Sequence, residues 1–237
     1  MSGGERSAGM ERAARAGGGE WRRRVLEAHV ITELRRRLPD GARVVDAGCG
    51  SGGLLAALRR ARVPWELSGF DASVLSVEQA RARGFRAVVP APAESLPIRG
   101  GGREAVVCLD LLGKASVDEG AVIEEMGRVL RPGGWLMVNV PAWDVLGAGG
   151  GGERRYGVGR LRDMLPRDEW EVELVHGWDA LGVLPALLGR RGGGRSWWPR
   201  WLSGVRASLG EMDLSVCRAL RLPVGTELFA VARKRPW

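Results

Sequence analysis

The residues best suited to chemistry are a glycine-rich turn and the acids on either side of it. Residues 44–53 read Val-Val-Asp-Ala-Gly-Cys-Gly-Ser-Gly-Gly, and Asp71 stands 23 positions after Gly48. Glycines let the backbone come close to a ligand where a side chain would collide. An acid at the end of the next strand can accept hydrogen bonds from both hydroxyls of a ribose. The pattern therefore predicts a site for a ligand that carries a ribose.

Two cofactors are compatible with this turn. Gly48, Gly50 and Gly53 satisfy the GxGxxG pattern of dinucleotide enzymes, which also have an acid about 20 residues further on. S-adenosylmethionine (SAM) is favoured by Asp46, which directly precedes the glycines and could contact the methionine ammonium through water. SAM is also favoured by residues 128–136, Arg-Val-Leu-Arg-Pro-Gly-Gly-Trp-Leu, because nicotinamide binding does not require such a segment. An NAD(P)-dependent oxidoreductase is therefore the alternative to a SAM-binding enzyme.

Alternating strands and helices are predicted to position the turn. Apolar spacing predicts strands at 42–45, 67–70, 86–89, 105–109, 135–140, 170–176 and 227–233. It predicts helices at 21–38, 54–62, 73–83, 118–130 and 158–165, and broken helices within 178–224. Strands that alternate with helices in this way form βαβ units. The predicted fold class is an α/β, doubly wound, mostly parallel seven-stranded sheet, Rossmann-like, with a variable helical cap.

Composition predicts a single domain that is not cross-linked by disulfides or metal ions. Residues 1–19 are almost free of apolar side chains and are expected to be a disordered tail, followed by one domain at 20–237 that includes the cap at 178–224. The three cysteines, Cys49, Cys108 and Cys217, have no metal-ligand spacing, so neither a metal nor a disulfide is predicted. The absence of a signal peptide or an apolar span predicts a cytoplasmic protein.

Charge raises nucleic acid or an anionic membrane as a partner. The net charge is +8 and the isoelectric point is near 10.7. The basic residues are nearly all arginines, however, and they are spread along the whole chain. Nucleic acid is therefore not the favoured partner, although a non-enzymatic nucleic-acid or membrane-surface binder is kept as a second alternative.

Four segments together resemble a known family. They are residues 45–52, 69–73, 94–98 and 128–134, and their order and spacing are similar to those of class I SAM-dependent methyltransferases. The resemblance covers about residues 44–141 and is strongest to the small-molecule subgroup that includes ubiquinone and menaquinone biosynthetic methyltransferases. It implies transfer of a methyl group from SAM to a small-molecule or lipid-like acceptor.

The resemblance also assigns residues to parts of the cofactor. Besides Asp46, it implies that the turn formed by Gly48, Cys49, Gly50 and Gly52 faces the methionine end. It places the remaining cofactor contacts at the ribose, the adenine and the sulfonium: Asp71 for the ribose, Ala72, Ala93 and Glu94 around the adenine, and Leu109 with Asp110 near the sulfonium.

The chain departs from the family pattern at three places. Pro92 stands where many relatives have an acid that binds the adenine amino group, so that either Glu94 compensates or packing holds the adenine. Gly113-Lys114 replaces a Glu-His pair, and Gly152 replaces a histidine. Any metal or acid–base role of the replaced residues is therefore absent.

Three residues are candidates for catalysis. Asp110 could touch SAM or the acceptor, or could simply bond at a strand end. His176 could act as a base, although a structural role is the alternative. Tyr156 could bind an anionic or phenolic acceptor or lie at a solvated loop end.

Tryptophans mark one further segment. Trp197, Trp198 and Trp201 lie among arginines after an apolar stretch. Such a mixture suits a lid over an apolar acceptor, peripheral contact with a membrane, or packing under a long loop.

Overall fold

The computed structural model describes residues 21–142, 154–180, 183 and 203–236. The predicted tail at 1–19 lies outside these residues, as do residues 181–182 and 184–202 of the predicted cap at 178–224, which include the three tryptophans. Gly152 and the segment around it do so as well.

A single sheet of seven strands forms the centre of the fold. Its strands are β1 (Arg43–Ala47), β2 (Glu66–Asp71), β3 (Val88–Pro90), β4 (Arg103–Leu109), β5 (Leu130–Pro141), β6 (Trp170–Trp178) and β7 (Glu227–Lys234). Their order across the sheet is β3-β2-β1-β4-β5-β7-β6. All neighbours pair in parallel except β7, which is antiparallel to both β5 and β6. The predicted fold class is confirmed.

Within the described part of the chain, six helices with given bounds pack on the two faces of the sheet. They are α1 (21–35), α2 (Gly53–Arg60), α3 (Val74–Ala82), α4 (Glu119–Val129), α5 (Val158–Asp163) and α6 (Ser203–Ala219). Ser73 begins α3 by accepting a hydrogen bond from the Ser76 N–H, and Asp118 caps α4 in the same way. Gly84, with a φ of 88°, follows the end of α3 as predicted.

β5 begins earlier than the sequence indicated. Its predicted start was residue 135, because Pro132 and Gly133 interrupt the apolar pattern. Leu130 nevertheless pairs with Arg103 of β4, and the register shifts before Ala105 pairs with Trp135. The irregular stretch thus forms a bulge at the start of β5, where it pairs with β4.

The core has two layers, one on each face of the sheet. Val44 and Val45 of β1 belong to different apolar clusters because successive strand residues point to opposite faces. α1, α2 and α6 pack on the Val44 face, and α4 packs on the other. The N-terminal helix α1 is therefore an integral part of the core.

The carboxyl ends of the parallel strands meet along one edge. β1 ends at Ala47, β2 at Asp71 and β4 at Leu109. Because β7 runs in the opposite direction, its first residue, Glu227, pairs with Pro141 at the end of β5 and with Trp178 at the end of β6. Ligands of doubly wound sheets bind at this edge.

Candidate functional site

The glycine turn after β1 has a backbone shape that favours glycine. Gly48, Gly50 and Gly52 have φ values of 82°, 51° and 81°. The N–H groups of Gly48 and Cys49 both donate to the Phe70 carbonyl, at 2.8 and 2.9 Å, so the turn is tied to β2. A Cβ on Gly48 would lie 3.3 Å from the Leu111 side chain. The turn is therefore tied to β2, and a side chain at Gly48 would press against Leu111.

Asp71 lies beside this turn at the end of β2. Its Oδ2 accepts from the Gly50 N–H and its Oδ1 from the Ser73 N–H, both at 2.9 Å. Each carboxylate oxygen can accept more than one hydrogen bond. The side chain is thus oriented by the backbone and can still accept bonds from two ribose hydroxyls.

Asp46 is a buried acid with an unused oxygen. Its side chain is only 3% exposed, and its Oδ2 has no hydrogen-bond partner among the described residues. Burial, together with the nearby charges of Asp71 and Glu27, raises the pKa of Asp46 to about 7. A buried acceptor without a donor is costly in a fold, which makes this oxygen a candidate contact for a ligand.

A cavity of about 680 Å³ opens over these residues. Five of the predicted site residues line it: Asp46, Gly48, Cys49, Leu109 and Asp110. The structure therefore brings the predicted methionine and sulfonium contacts together on one wall.

The other predicted cofactor residues are not part of the cavity lining. Gly50 and Gly52 belong to the same turn, and Ala93 is buried, whereas Ala72 and Pro92 are exposed. Glu94 accepts a bond of 3.2 Å from the Asp118 N–H at the start of α4. Its compensation for Pro92 at the adenine stays a prediction.

Outside the glycine turn, sequence analysis missed eight residues that line the cavity. They are Arg22, Arg23, Leu26 and Glu27 from α1, Leu54 of α2, Asn139 of β5, Trp178 of β6 and Glu227 of β7. Asn139 was detectable as a polar residue within an apolar strand. The others carry no local signal, because only the packing of α1 and the direction of β7 bring them to this edge.

A polar network occupies the side of the cavity next to Asp110. The Asn139 amide donates to Asp110 Oδ1 at 2.5 Å and to Glu227 Oε2 at 3.1 Å. Arg22 contacts Glu227 Oε1 at 2.8 Å and Asp179 at 3.1 Å. Burial raises the pKa of Glu227 to about 7, although Arg22 acts to lower it. This is the part of the cavity that faces away from the glycine turn.

His176 lies in the core rather than on the cavity wall. It is fully buried, and its Nε2 is 3.2 Å from the Nε2 of His29 in α1. Its Nδ1 bonds to the Gly177 carbonyl, which can only accept, so Nδ1 carries the proton. A catalytic role for His176 stays a prediction, and its position favours a structural one.

Tyr156 is likewise buried away from the cavity. Its hydroxyl donates to the Leu112 carbonyl at 2.7 Å and contacts Glu119 at 2.6 Å. Burial and the bond to Glu119 raise the pKa of this phenol. The adjacent Arg154 donates to the carbonyls of Leu112, Lys114 and Val117. Both side chains fasten the loop after β4, and the acceptor role of Tyr156 stays a prediction.

Metal ligands and membrane-spanning helices were the two remaining features of interest in the described residues. Among the described residues, no group of three potential ligands is placed to hold a metal ion. No helix in the same part of the chain has the length and apolar character needed to cross a bilayer.

Residues 45–138 match the family model described as a methyltransferase domain. Two curated relatives share this region. The chain is 32% identical over 116 residues to mouse tRNA (carboxymethyluridine(34)-5-O)-methyltransferase, covering 48% of this chain and 17% of the relative. It is 29% identical over 117 residues to the ubiquinone biosynthesis O-methyltransferase of Bordetella avium, covering 47% of each. The chain thus spans less than half of either relative.

The fold is also found among solved structures. Geranyl diphosphate C-methyltransferase of Streptomyces coelicolor, solved with S-adenosylhomocysteine, superposes with a TM-score of 0.58. The similarity covers 87% of this chain and 77% of that enzyme at 15% identity. With the sheet order and the matched model, these findings confirm the resemblance of the motifs. Residues 45–138 thus resemble a methyltransferase domain, and they lie in a fold shared with a methyltransferase that was solved with S-adenosylhomocysteine.

Proposed function

We propose that the protein transfers the methyl group of SAM to a small-molecule acceptor and releases S-adenosylhomocysteine. The observation that carries this proposal is the cavity wall formed by the glycine turn and Asp46. There a buried carboxylate oxygen without a donor lies beside backbone that a ligand can approach closely. A methionine ammonium, directly or through water, supplies the missing donor.

The methionine and ribose parts of SAM have matching groups in the chain. Gly48 and Cys49 line the cavity, where they would face the methionine part of SAM. Asp71, bonded to the Gly50 N–H, would accept hydrogen bonds from the ribose hydroxyls. Arg23 supplies a cation for the methionine carboxylate: its Nη1 is 2.7 Å from the position that a Cβ on Gly53 would take. Arg22 is bonded to Glu227 and Asp179, and Arg23 pairs with Glu27 at 3.5 Å. Arg23 is the arginine that lies against the turn at Gly53.

The chemistry demands little from the protein beyond alignment. SAM supplies a methyl group activated by a positive sulfur, so that attack by a nucleophile displaces S-adenosylhomocysteine. The walls of the cavity hold the two reactants in line and exclude water, which can contribute roughly 7–11 kcal/mol to lowering the barrier. Leu109 and Asp110 are placed to border the reacting atoms.

A small-molecule acceptor fits the cavity better than RNA does. A volume of about 680 Å³ is typical of sites for small ligands. Asp110 and Glu227 line the acceptor side, where carboxylates would repel the phosphates of a nucleic acid. The Bordetella avium relative and the Streptomyces coelicolor enzyme support this choice by name, whereas the mouse relative keeps tRNA as the second acceptor class to test.

A labelled methyl group on SAM allows the acceptor class to be tested directly. Purified protein is incubated with SAM labelled in its methyl group and either a small-molecule extract or total tRNA. We expect label in an organic-soluble or low-mass product and none in RNA, with loss of transfer in Asp71→Ala. Label in tRNA alone would replace the acceptor class, and label in neither fraction would oppose the proposed activity.

A further inference from the structure

An acid of α1 shares the unusual feature of Asp46. Glu27 is 4% exposed, and its Oε1 has no hydrogen-bond partner among the described residues. A buried acceptor that lacks a donor is costly, and such groups are rare in folded proteins. Because Glu27 and Asp46 both line the cavity, two unused carboxylate oxygens border the same space.

The ion pair between Glu27 and Arg23 is loose. The Arg23 Nη1 lies 3.5 Å from the Glu27 Oε1, which is too long for a good hydrogen bond. The two residues are four positions apart, so they lie on the same face of α1. Both also lie against Gly53, where a Cβ would be 2.7 Å from the Arg23 Nη1 and 3.3 Å from the Glu27 Oε1. α1 thus presents one cation and one anion side by side at the start of α2.

The surroundings of Glu27 favour an additional cation at its free oxygen. Burial raises the pKa of Glu27, although three arginines act to lower it: Arg23, Arg60 and Arg24. Arg60 of α2 lies 3.7 Å from the other oxygen, Oε2, and its side chain is largely exposed. Since burial outweighs these arginines, an ammonium at Oε1 would stabilise the ionised carboxylate.

The surroundings of Asp46 act in the same direction. Burial raises its pKa to about 7, together with the charges of Asp71 and Glu27. The thiols of Cys49 and Cys108 also adjoin Asp46, but burial raises the pKa of each to about 12 and keeps them neutral near pH 7. No cation is among the causes given for Asp46, so a bound ammonium would favour its ionised form as well.

We propose that Glu27 is a second acceptor for the methionine ammonium of SAM, and that the Arg23–Glu27 ion pair exchanges for the zwitterionic end of the cofactor. The ammonium bonds to Glu27 and Asp46, while Arg23 turns to the cofactor carboxylate. This inference rests on the proposed methyl transfer. One loose ion pair within the protein is thereby replaced by charge-assisted bonds of both signs to the ligand.

The exchange makes α1 selective for ligands that end in an amino acid. A nucleoside without that end offers no ammonium to Glu27 and no carboxylate to Arg23. The two buried oxygens then keep their desolvation cost. Affinity should therefore depend on the ammonium and on the carboxylate separately, each through its own side chain of α1.

Three ligands separate the two charges. S-adenosylhomocysteine carries both the ammonium and the carboxylate, decarboxylated S-adenosylhomocysteine carries the ammonium alone, and 5′-methylthioadenosine carries neither. Calorimetric titration of the full chain measures their affinities in the wild type and in Glu27→Gln and Arg23→Ala. Glu78→Gln, which alters an exposed acid of α3 outside the cavity lining, is the matched control.

We expect Glu27→Gln to weaken S-adenosylhomocysteine and its decarboxylated form alike, by about tenfold or more, because both lose a charged acceptor. The advantage of these two ligands over 5′-methylthioadenosine should shrink by the same factor. Arg23→Ala should weaken S-adenosylhomocysteine more than the decarboxylated form, since only the former has a carboxylate. Glu78→Gln should behave as the wild type.

Proton release is a second readout, and it needs no variant. Near pH 7 Asp46 is partly protonated in the free protein, and an ammonium that binds beside it drives the proton off. Titrations of the wild type in two buffers of different ionisation enthalpy count the protons released. We expect more protons to be released with S-adenosylhomocysteine than with 5′-methylthioadenosine.

The outcomes separate failure of this inference from failure of the proposed function. If Glu27→Gln weakens S-adenosylhomocysteine but keeps full affinity for the decarboxylated form, Glu27 only supports Arg23 and the inference is wrong. Equal proton release with the two wild-type ligands would also overturn it, even if Glu27→Gln does not fold in a thermal melt. If the wild type binds none of the three ligands, the proposed methyl transfer itself fails.

Discussion

At the scale of single residues, the site combines a rigid turn with an acid that the fold buries at a cost. Asp46 titrates at about 7 rather than at its ordinary value of 3.8, mainly because of burial. Its pKa is higher in the folded than in the unfolded state, so stability declines as pH rises from about 4 to about 7. Above pH 7 the full penalty is present. A ligand that donates to Asp46 would relieve that penalty, which links cofactor binding to stability.

Asp46→Asn should therefore stabilise the free protein at pH 8 and abolish its cofactor binding. The expected gain in the free energy of unfolding is on the order of a few kcal/mol at pH 8 and near zero at pH 4. Chemical denaturation at both pH values measures it, with Asp168→Asn, an exposed acid, as the control. An equal effect of Asp46→Asn at the two pH values would show that ionisation of Asp46 is not the cause.

At the scale of elements, α1 does more than extend the domain at its N-terminal end. It packs on the sheet through Leu26, Val30 and Leu34 and brings Arg22 and Arg23 to the cavity. The apolar spacing of the sequence predicted the helix, but nothing in it indicated which strand ends the polar face would meet. The tertiary position of α1 is what converts two of its arginines into site residues.

Arg23→Ala should weaken binding of S-adenosylhomocysteine by roughly tenfold or more, because a charge-assisted bond to its carboxylate is lost. The control is Arg24→Ala, which removes an exposed charge from the next position of the same helix. Isothermal titration of both variants measures the effect. Equal affinities for the two variants would remove Arg23 from the cofactor site.

The histidine pair joins α1 to β6 and should give the fold a sensitivity to acid. Burial, together with the neighbouring His176, lowers the pKa of His29 to about 3. The neutral pair therefore stabilises the fold above the unfolded pKa of about 6.5, and this contribution is lost as pH falls toward 3.

His29→Gln should lose less stability on acidification than the wild type does. The expected reduction in the loss between pH 8 and pH 5 is roughly 2 kcal/mol. The comparison uses the difference between the two proteins, since Asp46 and Glu227 titrate in the same range with the opposite sign. His29 and His176 are the only histidines in the chain, so no third histidine complicates the measurement. Identical pH profiles would contradict the assigned role.

At the scale of the whole molecule, the fold was predictable because apolar period and glycine placement are local properties. The strands, the turn at Gly48 and the acid at Asp71 could all be found in this way. The acceptor side could not, because Glu227 reaches it only through the antiparallel direction of β7 and its pairing with Pro141. Arg22 reaches it only through helix packing. Within the predicted cap, Ser203–Ala219 form a helix, whereas the predictions for Trp197, Trp198 and Trp201 concern residues outside those described.

The most direct test is calorimetric titration of the protein with S-adenosylhomocysteine and, separately, with NAD⁺. A SAM site predicts micromolar binding of the first ligand and none of the second. Asp71→Ala should weaken the binding at least tenfold because the ribose loses its charged acceptor. A thermal melt of the variant without ligand checks its fold. Binding of NAD⁺ instead, or full affinity for S-adenosylhomocysteine in a folded Asp71→Ala variant, would contradict the proposed cofactor site.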